Sequence, residues 1–255
     1  MAKAPQNETK RALVTGAAGG LGAAIALGLA RDGFDIAVTS RNAERLGTTV
    51  SKIKAMGRRV VPITLELRSA SSAEQAVAGA IEALSGLDVL VNNAGITART
   101  PAVDIKLEEW EDVMRVNATG ALLMSQQIAR HLLATKREGC IINIASTHGL
   151  IGFPQRLSYG TSKGALVQMT RMLAIEWAPN GIRVNAIAPG TVETPSRIEF
   201  FAANPSTREA MIRRVPVGRF ANPDEVAGMV SYLASPAAAY VTGQTLILDG
   251  GLTAA

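Results

Sequence analysis

One cysteine, two histidines and few aromatic residues limit the chemistries open to this 255-residue chain. With Cys140 alone, no disulfide can close within the chain, which fits a reducing compartment. Cys140 sits in the apolar run Cys140–Ile144 and reads as a small buried hydrophobe rather than a nucleophile. Two histidines and one cysteine at unrelated spacings offer no metal site. No apolar run approaches the ~20 residues a membrane helix needs. The polar segment 1–10, which contains Pro5, lacks the hydrophobic stretch of a signal peptide and reads as a short flexible arm. Aromatics are only 4% of residues, so the core must be built from Ala, Val, Ile and Leu, as in parallel strands covered on both faces. The net charge of +5 is carried by scattered Lys and Arg, without the clustered basic and aromatic residues of a nucleic-acid surface. Such a surface does enrich anionic ligands, a phosphorylated cofactor included. The expectation is a cytoplasmic protein with no membrane or nucleic-acid partner.

What is present is alternation. Short apolar runs (Ala12–Thr15, Asp35–Thr39, Val60–Leu65, Val89–Asn92, Ile141–Ala145, Arg183–Ala188, Thr245–Leu248) alternate with helix-like stretches (Gly20–Arg31, Ala43–Met56, Ser72–Leu84, Leu107–Ala134, Ser158–Ala178, Pro223–Ala234). This order predicts βαβ units, a parallel sheet and one α/β domain from residue 11 to the end. Gly33 and Gly57 follow helices as C-terminal caps do. Asn222-Pro223 combines a capping side chain with proline at the first helical position. Thr191–Phe220, with three prolines, is expected to be the least regular part and to form a lid.

Thr15-Gly16-Ala17-Ala18-Gly19-Gly20-Leu21-Gly22 follows the first strand and opens the first helix. Glycines at 16, 20 and 22 suit a sharp turn whose backbone N–H groups approach a pyrophosphate at a helix N-terminus. The alternative is a glycine-rich turn without a ligand. The second strand ends in Ser40-Arg41, where an acid would accept hydrogen bonds from a free ribose 2′-hydroxyl. A guanidinium there can instead grip a 2′-phosphate, which favours NADP(H) over NAD(H), unless Arg41 is simply a solvated residue at a helix start. Against this preference, Gly19 leaves the glycine turn without a second basic residue.

Tyr159 and Lys163 are four apart on one helical face, Ser146 ends a strand, and Asn117 lies within a long helical stretch. A lysine ~4 Å away would stabilise a phenolate by up to ~4 kcal/mol at an effective dielectric of ~20, bringing Tyr159 towards neutral pH as acid or base. Ser146 can donate a hydrogen bond to a substrate oxygen, and Asn117 can hold a water linking Lys163 to solvent.

Together with Asn92-Asn93-Ala94-Gly95, Pro189-Gly190 and Asp249-Gly250-Gly251, these ordered motifs resemble the short-chain dehydrogenase/reductase family, from Arg11 to Gly251. The resemblance implies a Rossmann-type doubly wound sheet of seven parallel strands. It implies Tyr159 as acid/base, Lys163 as its tuner and a nicotinamide-ribose ligand, Ser146 as the substrate-orienting group and Asn117 in a proton relay. Gly16, Gly19, Gly20, Leu21, Gly22, Ser40, Arg41, Asn93, Ala94 and Gly95 would line the cofactor groove. Pro189, Gly190, Val192 and Thr194 would meet the nicotinamide. Glu66-Leu67 stands where relatives usually have Asp before an aliphatic residue against the adenine. Asn92–Gly95 and Asp249–Gly251 could equally be turn formers. The resemblance also implies a homotetramer joined around 107–134 and 158–178, segments whose apolar residues suit an interface.

Arg99, His148 and Arg156 are candidate substrate contacts for an anion such as a sugar acid, unless they are solvated rim residues. Some stretches resemble the gluconate-type dehydrogenases, and the framework is close to that of 3-oxoacyl carrier-protein reductases. A catalytically silent cofactor-binding protein is the rival from another class. It would be expected to lack the Tyr or the Lys.

Overall fold

The computed structural model describes residues 9–254. Expectations about the arm fall largely outside them. Seven strands run Arg11–Val14 (β1), Asp35–Ser40 (β2), Val60–Thr64 (β3), Val89–Asn92 (β4), Gly139–Ile144 (β5), Ile182–Pro189 (β6) and Thr245–Leu248 (β7). Every pairing is parallel and the spatial order is β3-β2-β1-β4-β5-β6-β7. The sequence places these strands within two residues at either end, because strands buried on both faces read as nearly continuous apolar runs.

The helices are Gly20–Arg31 (α1), Gly47–Ala55 (α2), Ala70–Leu84 (α3), Leu107–Met114 (α4), Gly120–Thr135 (α5), Leu157–Trp177 (α6), Pro195–Ala203 (α7), Pro205–Ile212 (α8) and Pro223–Ala234 (α9). Side chains alternate across the pleat into two cores. Ala12, Val14, Val89 and Val91 face Ile25, Leu29, Val226 and Val230 of α1 and α9. Leu13, Leu90 and Ile141 face α3, α5 and α6 through Val77, Ile128 and Leu173. Cys140 is buried within the first core, as expected, and burial pushes its thiol up to about 11. Gly33 and Gly57 donate their N–H groups to Ala30 and Lys54, and Asn222 and Glu225 form a capping box at α9.

Three local expectations need correction. The second helix opens as a 3-10 turn over Ala43–Leu46, because Asn42 accepts the Glu44 N–H and starts the chain turning early. The stretch from Leu107 is broken by a π turn at Arg115–Thr119, which sets Asn117 inward. Thr191–Phe220 is irregular only at its two ends, with two helices between them. Pro195 and Pro205 begin α7 and α8, the position where a missing N–H and a fixed φ cost nothing.

The strand order reverses between β1 and β4. In open sheets of this kind a crevice forms there, outside the carboxyl ends of the strands.

Candidate active site

The crevice is built by the chain segments leaving β1, β4, β5 and β6. Gly16 has φ +70°, and a Cβ on it would lie 3.0 Å from Ala94 Cα and Cβ. On Gly22, a Cβ would collide with the Gly16 carbonyl and the Asn93 amide. Asn93 Nδ2 donates to the carbonyls of Thr15 at 2.9 Å and Gly16 at 3.3 Å, bracing the turn. Thr15 Oγ1 accepts from the N–H groups of Asn93 and Ala94, both at 3.0 Å. The Asn93 side chain thus braces the turn, and Asn93, Ala94 and Gly95 all line the groove. Gly19 has open space around its Cβ position.

On the β2 side, a cavity of about 570 Å³ is lined by Gly16, Ser40, Arg41, Arg45, Glu66, Leu67 and Arg68, among others. Arg45, a second cation beside Arg41, was not singled out from the sequence. Its place in the 3-10 turn after Asn42 was the available signal. Glu66 Oε1 accepts from Arg68 N at 3.0 Å and Nη1 at 3.2 Å, and Arg68 also binds Asp112 at 2.6 and 2.8 Å.

On the β5–β6 side, a cavity of about 370 Å³ shares Asn93, Gly95 and Ile96 with the first. It is lined by Ser146, His148, Arg156, Tyr159, Lys163, Pro189, Gly190, Val192 and Thr194, and by Leu21 of the glycine turn. Ser146 and Tyr159 meet because the turn after β5 lies close on α6. A Cβ on Gly149 would be 2.7 Å from the Lys163 carbonyl carbon, and one on Gly160 would be 2.8 Å from the His148 carbonyl oxygen. Beneath this contact, Asn92 donates to Asn143 Oδ1 and Asn143 to Thr170 Oγ1, both at 2.9 Å, tying β4, β5 and α6 together.

Burial raises the Tyr159 phenol, opposed by a hydrogen bond from Ser146 and then by the charges of Arg156 and Arg197. Lys163 is buried, donates to the Ile144 carbonyl at 2.7 Å, and is pushed down to about 8 by desolvation. Its Nζ is 5.8 Å from the Tyr159 ring centroid. Lowering of the phenol by Lys163 is not the leading influence here. Burial dominates both groups, and the ammonium is held on a backbone carbonyl.

Two expected site residues stand apart. Asn117 is buried, and its side chain accepts from Ile96 N at 2.8 Å and donates to Ile96 O and Ser162 Oγ, both at 2.9 Å. Both its donors are committed, so its amide serves as a clamp on the loop after β4. Arg99 is exposed, bonds Gln155 at 3.1 Å and lines neither cavity. In its place the cavity receives Arg197 from α7 and, just beyond α8, Arg214.

A family model described as enoyl-(acyl carrier protein) reductase matches residues 16–253. The chain belongs to the short-chain dehydrogenases/reductases. It is 40% identical over 245 residues to a glucose 1-dehydrogenase of Gluconobacter oxydans, covering 96% of this chain and 92% of the relative. It is 36% identical to a 3-oxoacyl-acyl-carrier-protein reductase of Thermotoga maritima, covering 96% and 98%. A solved structure from Agrobacterium tumefaciens, assigned as a 2-deoxy-D-gluconate 3-dehydrogenase and carrying bound NADP, superposes with a TM-score of 0.90 at 37% identity, covering 97% and 98%. As a short-chain dehydrogenase/reductase the chain is an NAD(P)-dependent oxidoreductase with a small-molecule substrate. No helix among the described residues is long and apolar enough to cross a membrane.

Proposed function

We propose that this short-chain dehydrogenase/reductase interconverts a ketone and a secondary alcohol with NADP(H), using Tyr159 as the proton donor and acceptor. The observation that carries the reading is the meeting of Tyr159, Ser146 and Lys163 in a cavity contiguous with the glycine turn. This crevice would take a dinucleotide: Gly16 and Gly95 line it without side chains, and Gly22 lets the turn close on Asn93. A Cβ on Gly95 would sit 3.0 Å from Asn117 Oδ1 and 3.6 Å from Lys163 Nζ. When bound, the nicotinamide supplies or accepts the hydride at the substrate carbon.

The chain's own residues manage the proton and the orientation. With its phenol raised, Tyr159 holds its proton at neutral pH and is ready to deliver it to a carbonyl oxygen. Ser146 donates a hydrogen bond to the same oxygen as charge develops there. Lys163, a cofactor-ribose ligand in this reading, is charged below about pH 8 and then favours the phenolate that proton delivery leaves behind. Asn117 positions Gly95 and Ile96 rather than touching the reacting atoms. Leu21, Pro189, Gly190, Val192 and Thr194 line the nicotinamide end.

The NADP preference rests on Arg41 and Arg45 in one cavity, two guanidinium groups available to a 2′-phosphate. Arg45 meets the objection raised by Gly19. Glu66 takes part through Arg68, which restrains its carboxylate, and Leu67 lies beside it. Titration with NADPH and NADH tests the preference, and equal affinities would refute it.

Segment 191–220 is the lid, and the enzyme works in the cytoplasm as a homotetramer. A sugar acid is the favoured substrate. Reduction of a 3-oxoacyl carrier-protein thioester is the second reading, supported by the Thermotoga relative. Turnover of a ketone panel tests the reaction class. Binding of cofactor with no turnover of any carbonyl would return weight to a silent cofactor-binding protein.

A further inference from the structure

The cavity that holds Tyr159 is lined by Arg156, Arg197, Arg214, Lys163 and His148, with no Asp or Glu among its lining residues. Arginines nearby on the same chain segment are neutralised. Arg208 pairs with Glu193 at 3.0 Å, Arg213 with Glu209 at 3.5 Å and Arg219 with Glu225 at 2.8 Å. Among the described residues, none of the three cavity arginines forms a salt bridge.

Arg156 and Arg214 are nonetheless held in place. Arg156 donates to Thr97 Oγ1 at 2.7 Å and to Ala98 O at 3.0 Å, which fixes it between α6 and the loop after β4. Arg214 lies over the Phe153 ring, 5.1 Å from its centroid. Arg197 projects from α7, whose base is pinned where Phe201 stacks on Phe220 at 5.0 Å. Gathering like charges in a half-buried cavity is unfavourable. The cost is visible at His148, driven down to about 4 by burial and then by Arg156, Arg197 and Arg214. A ligand anion would offset it, and planar guanidinium groups bind carboxylate and phosphate oxygens in pairs.

We propose that Arg156, Arg197 and Arg214 form an anion clamp that selects substrates bearing a carboxylate or phosphate away from the reacting carbon, and that this anion ties α7 and α8 to the sheet. The inference rests on the reading of this cavity as the substrate site. It adds two specificity-determining arginines and makes ketones without an anionic group poor substrates.

The test is a calorimetric titration of the full-length protein saturated with NADPH. The probes are aldonates and short hydroxy and oxo acids, sugar phosphates, and neutral polyols or methyl esters with the same carbon skeletons. At least one anion class should bind, about tenfold or more tighter than its neutral counterpart, and the two anion arms separate carboxylate from phosphate recognition. Arg197→Met and Arg214→Met should each weaken that anion by about tenfold to a hundredfold. Arg213→Met, which removes a neighbouring charge outside the cavity, should not weaken it. The clamp is overturned if no anion binds, if neutral counterparts bind equally well, if both cavity variants keep full affinity, or if R213M loses as much as they do. R197M and R214M must still bind NADPH, which excludes unfolding as the cause. Because the readout is binding, arginine-dependent affinity without turnover of any ketone or alcohol would leave the clamp standing and overturn the reaction. Turnover confined to neutral ketones would do the reverse.

Discussion

Tyr159 illustrates how a residue's environment decides its role. Burial keeps its phenol protonated through neutral pH, so carbonyl reduction should run at full rate there and fall only in the alkaline range. Alcohol oxidation needs the phenolate and should climb with pH over the same range. Opposite pH profiles for the two directions are the expected result, and parallel profiles would point to another acid. The buried lysine carries a stability signature. Lys163 has a folded value of about 8 against an ordinary 10.5. Between those values the unfolded chain holds a proton that the folded chain has released, so stability should rise with pH through that window. Lys163→Met should remove that rise, as followed by urea unfolding at several pH values, while abolishing turnover. At the other end of the crevice, Arg41→Ala and Arg45→Ala should each weaken NADPH by about tenfold, measured by fluorescence, with NADH little changed. The spacing of Tyr159 and Lys163 on one helical face was legible in the sequence because helical periodicity is local, whereas their grouping with Ser146 came through the family resemblance. Arg45, Arg197 and Arg214 were not, because nothing local says that distant arginines will share a cavity, and Arg99 was included for its nearness to Asn92–Ile96 and a likeness to gluconate-type dehydrogenases there.

Among the elements, the strands were easiest to read and the interruptions hardest. A π turn keeps an apolar pattern that passes for a continuous helix, so only the structure shows why Asn117 points inward to Ile96 and Ser162. Asn117→Leu would leave the Ile96 N–H and carbonyl unpaired in a buried site, and should cost roughly 2–3 kcal/mol in urea unfolding. It should also lower kcat, through displacement of Gly95. The α7–α8 segment hid behind its prolines, which sit at helix starts rather than in a loop. Its hold on the body is the stacked pair Phe201 and Phe220, both 3% exposed. Phe220→Ala should raise KM for the substrate and speed amide exchange across α7 and α8, while NADPH affinity stays close to that of the unaltered protein. Unchanged exchange there would mean that the pair does not anchor the lid.

For the whole molecule, the two-layer burial and the switch between β1 and β4 explain why every candidate group gathers at one end of the sheet. They leave open apolar faces as well. Ile175 is 79% and Met172 62% exposed on α6, in a segment expected from the sequence to join subunits. If α6 joins the proposed tetramer, Ile175→Asp should lower the mass seen in sedimentation velocity, and an unchanged mass would remove α6 from the interface. At one end of the sheet these groups support NADP-dependent hydride transfer with Tyr159 as acid. Its most direct test is ketone-dependent oxidation of NADPH by the unaltered protein and by Tyr159→Phe, over keto acids, 3-oxoacyl thioesters and simple ketones. The unaltered protein should turn over one class, with a loss on the order of 100-fold or more in Y159F and NADPH affinity preserved. Y159F turning over as fast as the unaltered protein would contradict it.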